Sequence, residues 1–161
     1  MDVSSDITSS PEPGAPIGPA GLRIEEAGLE VHELLFTLNM TIFKEPRIIN
    51  TFDRSDLMIL LAWMDEEPVG FKIGYRENRF TFYSAKGGVL ATHRRRGVAR
   101  ALLHEMMARA RRRGYARFAF DTFPNMHPGM TILGLLEGFR VMKADYNPAY
   151  RDYRLRFEKK L

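Results

Sequence analysis

The residues of this chain best suited to chemistry are arginines placed between an apolar run and a helical pattern. Residues 89–103 read Val-Leu-Ala-Thr-His-Arg-Arg-Arg-Gly-Val-Ala-Arg-Ala-Leu-Leu. This order predicts a strand, a tight turn, and a helix whose first turn is rich in positive charge. Backbone N–H groups at a helix N-terminus bind anions, and neighbouring arginines strengthen such a site. The segment therefore predicts a binding site for an anion such as a pyrophosphate.

The positive charge of the chain is concentrated rather than spread along it. The net charge is +4, and the excess lies in two clusters, one formed by Arg94, Arg95, Arg96 and Arg100 and the other by Arg109 and residues 111–113. Two local clusters favour a local anion site over a long nucleic-acid track. We expect residues 111–113 of the second cluster to be a solvated helix end.

Composition predicts one globular domain that binds no metal through cysteine. Of the 161 residues, 45% are hydrophobic and 27% charged, as in soluble proteins with a core. The absence of cysteine excludes disulfides and thiol catalysis and suits a cytoplasmic protein. The other potential ligands lack metal-site spacing, so we expect no metal.

Neither a membrane span nor a secretory signal is expected. Residues 1–20, rich in Ser, Pro and Gly, predict a flexible tail before a single domain at 21–161.

The pattern of apolar residues and turns predicts a mixed α/β fold. The expected strands and helices, in chain order, are strand Leu22–Glu26, a helix from Val31 that ends before Pro46, strands Leu57–Met64, Val69–Tyr75 and Phe80–Ala91, helix Gly97–Arg113, strand Arg117–Phe123, helix Met130–Leu136, and a hairpin of Phe139–Tyr146 and Tyr150–Phe157. The turn chemistry of residues 57–91 indicates an antiparallel meander.

This order of elements, with the motif between the fourth strand and its helix, resembles the GNAT superfamily of acyl-CoA-dependent N-acetyltransferases. Residues 94–99 match the family signature, which is Gln or Arg, any two residues, Gly, any one residue, and then Gly or Ala. Gly138-Phe139 matches the family's helix-to-strand ending. Residues 71–75, 82–84 and 87–89 are also similar to an uncharacterised bacterial subgroup. The resemblance implies an α/β (α+β) fold with a mostly antiparallel sheet of about six to seven strands flanked by helices.

The resemblance implies acetyl-CoA as co-substrate and assigns its binding residues. The pyrophosphate would lie on the amides and side chains of the turn, and the pantetheine arm would pair with the backbone beside Val89. Asn125 follows the strand where the family's pantetheine and acceptor sites meet, although its position between two prolines also suits a turn. The expected cofactor-binding residues are Val89, Leu90, Ala91, Arg94, Arg95, Arg96, Gly97, Val98, Ala99, Arg100 and Asn125.

The catalytic groups are less clearly marked. Many family members carry a tyrosine acid four residues before the Gly-Phe glycine, where this chain has Gly134, so no general acid is assigned. Counting back from Arg94 to the family's glutamate base leads to Tyr83. Tyr83 and Ser84 are therefore the catalytic candidates, as groups that order a water or contact the acceptor. His127 is an alternative base, because its free pKa is near neutrality.

The expected function is acetyl transfer from acetyl-CoA to a primary amine by direct attack in a ternary complex. Two other classes remain open. A GNAT-fold module could bind acyl-CoA without catalysis, as a sensor or interaction domain, and Gly134 supports this alternative. A basic nucleic-acid-binding protein would use both arginine clusters but leaves Gly138-Phe139 unexplained. No segment marks the acceptor, and the C-terminal hairpin is a candidate surface for a homodimer.

Overall fold

The computed structural model describes residues 17–54 and 56–161. Within those residues, seven strands and three helices follow the predicted order. They are β1 (Leu22–Ala27), α1 (His32–Phe43), β2 (Met58–Met64), β3 (Glu67–Arg76), β4 (Thr81–Val89), α2 (Val98–Arg112), β5 (Arg117–Thr122), α3 (Pro128–Leu136), β6 (Arg140–Asn147) and β7 (Asp152–Lys160).

All seven strands form one sheet in the order β1-β2-β3-β4-β5-β7-β6. Only β4 and β5 are parallel neighbours, and every other pair is antiparallel. The connection between those two parallel strands contains α2, which is the crossover that a parallel pair requires. The predicted mixed, mostly antiparallel sheet flanked by helices is confirmed.

Helices cover both faces of the sheet, which explains why β2 is apolar along its whole length. Leu60 packs in the cluster that contains α2 residues such as Leu102, whereas Leu61 packs in the cluster that contains Leu35 and Leu38 of α1. A strand covered on both faces has no solvent side and therefore shows no polar alternation. The face that carries Leu60 is called the α2 face below, and the face that carries Leu61 the α1 face.

Several strand boundaries differ from those predicted by one to three residues, and three of these differences have a local cause. β4 ends at Val89 rather than Ala91, because the Leu90 amide makes a last bond to the Val69 carbonyl (2.8 Å) and a 3₁₀ turn begins at Ala91. β3 begins at Glu67 rather than Val69, because the hairpin turn before it has only two residues. These are Asp65 and Glu66, which both adopt positive φ. β7 begins at Asp152 rather than Tyr150.

The late start of β7 has a local cause. The Asn147 side-chain carbonyl accepts hydrogen bonds from the amides of Ala149 (2.9 Å) and Tyr150 (3.2 Å). These bonds hold both residues in the turn, as asparagine side chains commonly do. Tyr150 is therefore free to face the sheet opening described below instead of pairing with β6.

Of the predicted flexible tail, residues 1–16 lie outside the described residues. Gly18 packs close to α2: a Cβ built on Gly18 would lie 2.5 Å from Leu22 Cδ2 and 3.3 Å from Ala101 Cβ. The N-terminal approach to β1 thus contacts the beginning of α2. Among the helices described, none has the length and apolar character needed to cross a membrane.

Candidate acetyl-CoA site

The central feature of the sheet is a gap between its two parallel strands. β4 and β5 pair only from Thr81–Arg117 to Ser84–Phe120, although β4 continues to Val89. On the other side, β4 stays paired with β3 as far as Gly70–Val89, through a bulge where the register shifts after Ile73. The bulge bends β4 away from β5 and leaves its last residues with one neighbouring strand.

A cleft of about 820 Å³ lies along this gap. It is lined by residues 84–89 of β4, residues 120–122 of β5 and the following Phe123, and it reaches the loop after α1 on one side of the sheet. On the other side it reaches Arg94, Arg95, Ala99 and Leu102 at the start of α2. Its volume is within the range of cofactor and ligand pockets. The cleft therefore joins the predicted anion turn to the opposite face of the sheet.

The turn before α2 has the geometry of an anion-binding nest. Arg95 (φ 61°) and Gly97 (φ 84°) both adopt the left-handed conformation. The helix has no side-chain cap, and its first backbone bond runs from Ala101 to the Gly97 carbonyl (3.0 Å). Among the described residues, the amides of Arg95 to Arg100 have no hydrogen-bond partner. Converging unbonded amides at the positive end of a helix bind phosphate well.

The structure separates the predicted turn residues by what they contact. Arg95 and Ala99 line the cleft, as does Arg94, whose Nε donates to the Val89 carbonyl (3.2 Å). Arg100 is paired with Glu137, the residue that follows α3. The remaining predicted residues lie outside the cleft lining: Leu90 and Ala91 in the connection, exposed Arg96, Gly97 at the helix N-cap, and Val98 in the core.

The two predicted catalytic residues lie on opposite faces of the sheet. The Tyr83 hydroxyl donates to Asp121 Oδ2 (2.7 Å) on the α1 face, and Tyr83 is outside the cleft lining. Burial and the Asp121 carboxylate raise the pKa of Tyr83, so it remains a phenol at neutral pH. Ser84 lies in the last β4–β5 pair, is buried, and lines the cleft at the closed end of the gap.

The two candidate residues in the loop before α3, Asn125 and His127, also differ in whether they line the cleft. Asn125 Nδ2 donates to Asp152 Oδ1 (2.8 Å), and Asn125 lies outside the cleft lining. It therefore ties the loop to the start of β7. His127 does line the cleft, and its ring contacts Phe43 of α1 edge-on at 6.4 Å between centroids. Of the two, His127 is placed to meet a ligand.

Core side chains occupy the space around Gly134, the position at which many family members carry a tyrosine acid. A Cβ built on Gly134 would lie 2.8 Å from Phe120 Cζ and 3.4 Å from Phe157 Cδ1. The two phenylalanine rings stack at 5.0 Å and 6°, so neither can withdraw without loss of packing. Glycine here is thus a packing requirement, and a tyrosine acid cannot occupy this site.

Sequence reasoning missed Lys72 of β3, which lines the cleft and is 6% exposed. A lysine between Phe71 and Ile73 in an otherwise apolar strand was the available signal. Burial lowers its pKa from 10.5 to about 8. The strand pattern alone left it unclear whether this side chain faces solvent or the interior.

Comparison with known proteins is consistent with this geometry. Residues 47–125 match the model of an acetyltransferase (GNAT) domain. That span contains β2 to β5 and the whole turn before α2. A search of curated proteins finds no match.

Solved structures share the fold at low sequence identity. A GNAT family acetyltransferase from Elizabethkingia anophelis with acetyl-CoA bound has a TM-score of 0.77 and 15% identity, over 89% of this chain and 100% of that one. A Bacillus subtilis acetyltransferase in complex with CoA has a TM-score of 0.75 and 18% identity, over 87% and 99%. Arabidopsis thaliana NAA60 in complex with a bisubstrate analogue has a TM-score of 0.67 and 18% identity, over 86% and 97%. The family match over residues 47–125, the sheet order and the turn before α2 agree: the chain has the GNAT fold, and these findings are consistent with a member of the GNAT superfamily of acetyltransferases.

Proposed function

We propose that the protein transfers the acetyl group of acetyl-CoA to a primary amine, with both substrates bound at once. The observation that carries this proposal is the gap between β4 and β5, which joins the amide-rich turn on one face to an open cleft on the other. Two substrates that enter from opposite faces would meet without displacing each other. Much of the rate enhancement would come from this juxtaposition.

Acetyl-CoA would occupy the side of the cleft formed by α2. The pyrophosphate lies on the free amides at the start of α2, with the Arg95 guanidinium beside it. The pantetheine arm runs along residues 85–89, which have no strand on the β5 side. Because Leu90 and Val69 form a hydrogen-bonded pair, the Val89 amide points away from β3 and into the gap. That amide is free to pair with pantetheine or to stabilise the oxyanion of the tetrahedral intermediate.

The amine acceptor would approach from the α1 side. That part of the cleft contains His127, Glu45 and Lys86, of which the last two form an ion pair (2.6 Å). His127 is suited to accept the proton that the ammonium form of the acceptor must lose. Ser84, at the closed end of the gap, is placed to orient a water or the acetyl group. Tyr83 acts indirectly, by holding the Asp121 carboxylate.

The first test is isothermal titration with acetyl-CoA, followed by thiol release with a panel of primary amines. Replacing Arg95 with glutamine should weaken acetyl-CoA binding about tenfold, the value of one charged phosphate contact. The matched control is Arg96→Gln, because Arg96 is the next residue but lies outside the cleft lining. An absence of acetyl-CoA binding in the wild-type protein, or equal losses in the two variants, would contradict the assigned site.

The second candidate is an acyl-CoA-binding module without catalysis. It is favoured by Gly134, where the core leaves no room for the family's tyrosine acid. Such a module would bind acetyl-CoA with the same dependence on Arg95 but release no thiol with any amine. Thiol release therefore separates the two functions after binding has been established.

A further inference from the structure

Lys72 is a charged side chain placed in an apolar face of the sheet. Its cross-strand partners are Leu60 of β2 and Gly87 of β4. Leu60 belongs to the core cluster beneath α2, so Lys72 lies on the α2 face. The next residues of β3 on that face, Gly70 and Gly74, would direct a Cβ toward Leu102 and Met106 of α2. The side chain of Lys72 therefore begins within the core and not at the surface.

Glycine at position 87 lets this side chain extend to the gap between β4 and β5. A Cβ built on Gly87 would lie 3.2 Å from Lys72 Cγ, so the lysine stem passes directly over the glycine. Gly87 belongs to the stretch of β4 that has no β5 partner, and Lys72 lines the cleft there. Ser84 follows on the same face toward the closed end of the gap. The amine is thus directed along the path proposed for pantetheine.

The Lys72 amine has no partner among the residues that the structure describes, either as a hydrogen bond or as an ion pair. The other charged or titratable side chains that line the cleft are Glu45, Arg47, Lys86, Arg94, Arg95, Asp121, His127 and Tyr150. The two carboxylates among them are engaged on the α1 face, Asp121 by Tyr83 and Glu45 by Lys86. A buried amine without a carboxylate is costly to keep charged, which suggests that a ligand supplies the missing partner.

We propose that the Lys72 ammonium is the proton donor to the sulfur of coenzyme A. This inference rests on the proposed acetyl transfer. The acceptor nitrogen forms a bond to the thioester carbonyl carbon, the carbon–sulfur bond breaks, and its electron pair stays on sulfur. Lys72 transfers a proton from Nζ to that thiolate, which leaves as the CoA thiol. Lys72 then regains a proton from solvent, which also received the proton lost by the acceptor amine.

Lys72 compensates for the acid that Gly134 cannot provide. Phe120, which excludes a side chain at Gly134, belongs to the same core cluster as Leu60, the partner of Lys72. A lysine on β3 reaches the gap on that face from the opposite side. Burial brings its pKa to about 8, close to the value near 8.5 of a free thiol. Donor and thiolate are therefore matched for proton transfer at neutral pH.

The test of this role compares the dissociation constants of CoA and desulfo-CoA, because this comparison needs no knowledge of the acceptor. The variant is Lys72→Met, which keeps the length of the side chain and its fit to the apolar face. The control variant is Lys160→Met at the exposed end of β7. At pH 8 the ratio of the desulfo-CoA and CoA dissociation constants should fall about threefold in Lys72→Met, because lowering a thiol pKa of about 8.5 by one unit favours binding by that factor at this pH. Lys160→Met should leave the ratio unchanged.

A second readout follows the ionisation of the bound thiol by the ultraviolet absorbance of its thiolate. The pKa of bound CoA should lie below that of free CoA in the wild-type protein and rise in Lys72→Met. With an amine that supports turnover, kcat should fall about 100-fold in Lys72→Met. The wild-type rate should decline at high pH, because only protonated Lys72 can donate, and this decline should disappear in Lys72→Met. Lys72→Arg, which keeps the charge, should retain the lowered thiol pKa.

The outcomes separate this inference from the function on which it rests. If wild-type protein binds neither CoA nor desulfo-CoA, the proposed function fails. If both bind and their ratio is the same in Lys72→Met, acetyl-CoA binding stands and the role of Lys72 is overturned. Acetylation of Lys72 itself, detected by mass spectrometry after incubation with acetyl-CoA, would also overturn it, because an amide nitrogen cannot serve as the proton donor.

Discussion

The two arginine clusters of this protein look alike in sequence and serve different purposes in the fold. The first, residues 94–100, forms the turn before α2 and the beginning of that helix, where unbonded amides add to its positive charge. Within that segment no carboxylate occurs, and Arg100 is its one residue paired with Glu137, which follows α3. Arg94 and Arg95 line the cleft, and Arg96 is exposed outside the cleft lining. Charge and backbone act in the same direction at this end of the helix.

The second cluster, residues 109–113, occupies the other end of α2 and is largely paired. Arg109 bonds Glu105 one turn earlier (2.8 Å) and Glu26 of β1 (3.1 Å), and Arg113 also pairs with Glu26. Residues 111–113 are exposed, as the sequence suggested for a solvated helix end, and Arg109 is the more enclosed residue that lies between Glu105 and Glu26. The ion pairs of Arg109 and Arg113 fix α2 to the edge strand β1. Arginines at this end of α2 thus hold the helix on the sheet, whereas Arg94 and Arg95 before the other end line the cleft.

The largest effect on acetyl-CoA affinity is expected from a substitution of Gly97, the glycine of the first cluster. Gly97→Glu should weaken acetyl-CoA binding more than about 100-fold, because it places a carboxylate at the positive end of α2 and strains a left-handed residue. A Cβ at position 97 would also approach Gly18 Cα at 3.4 Å. Isothermal titration measures the loss.

Gly114→Glu at the opposite end of α2 is the matched control for this variant. Gly114 has φ 91° and open space around its Cβ position, so the substitution introduces similar strain without a phosphate nearby. It should cost about 1 kcal/mol of stability and leave acetyl-CoA affinity within about twofold. Equal loss of affinity in both variants would show that strain in α2, and not the anion turn, controls binding.

A smaller effect tests the second cluster. Arg109→Gln removes the ion pairs to Glu105 and Glu26, and should lower the free energy of unfolding by about 0.5–1 kcal/mol. Denaturant unfolding measures the change, and titration with acetyl-CoA should give the wild-type affinity. A clear loss of affinity would mean that the two clusters form one anion surface.

The smallest effect concerns the one carboxylate that contacts the first cluster. Burial alone would raise the pKa of Glu137, but hydrogen bonds from Arg100 and His104 outweigh it and hold the pKa below its usual 4.5. A lowered folded-state pKa stabilises the protein above pH 4.5, and this contribution is lost as the pH falls through the folded-state value. Glu137→Gln should therefore reduce the acid sensitivity of unfolding by less than about 0.5 kcal/mol. An unchanged acid dependence would contradict the role of this pair.

Local patterns were enough to predict the elements and the position of the turn before α2. The order of seven strands and three helices follows from periodicity and turn residues, and each helix lies within three residues of its predicted ends. The boundaries that differed were decided by single contacts, such as the Asn147 carbonyl that keeps Tyr150 in a turn. Such contacts involve neighbours that a periodic pattern does not reveal.

The sequence by itself determined that an arginine-rich turn joins a strand to a helix, because the residues from Arg94 to Arg100 are contiguous and their geometry is local. Only the tertiary structure decided which side chains share the cleft. It placed Tyr83 and Ser84 on opposite faces and directed Lys72 across Gly87 into the gap. The physical reason is that the gap arises from a bulge and from a parallel pairing that ends early. Both depend on strands far apart in the chain.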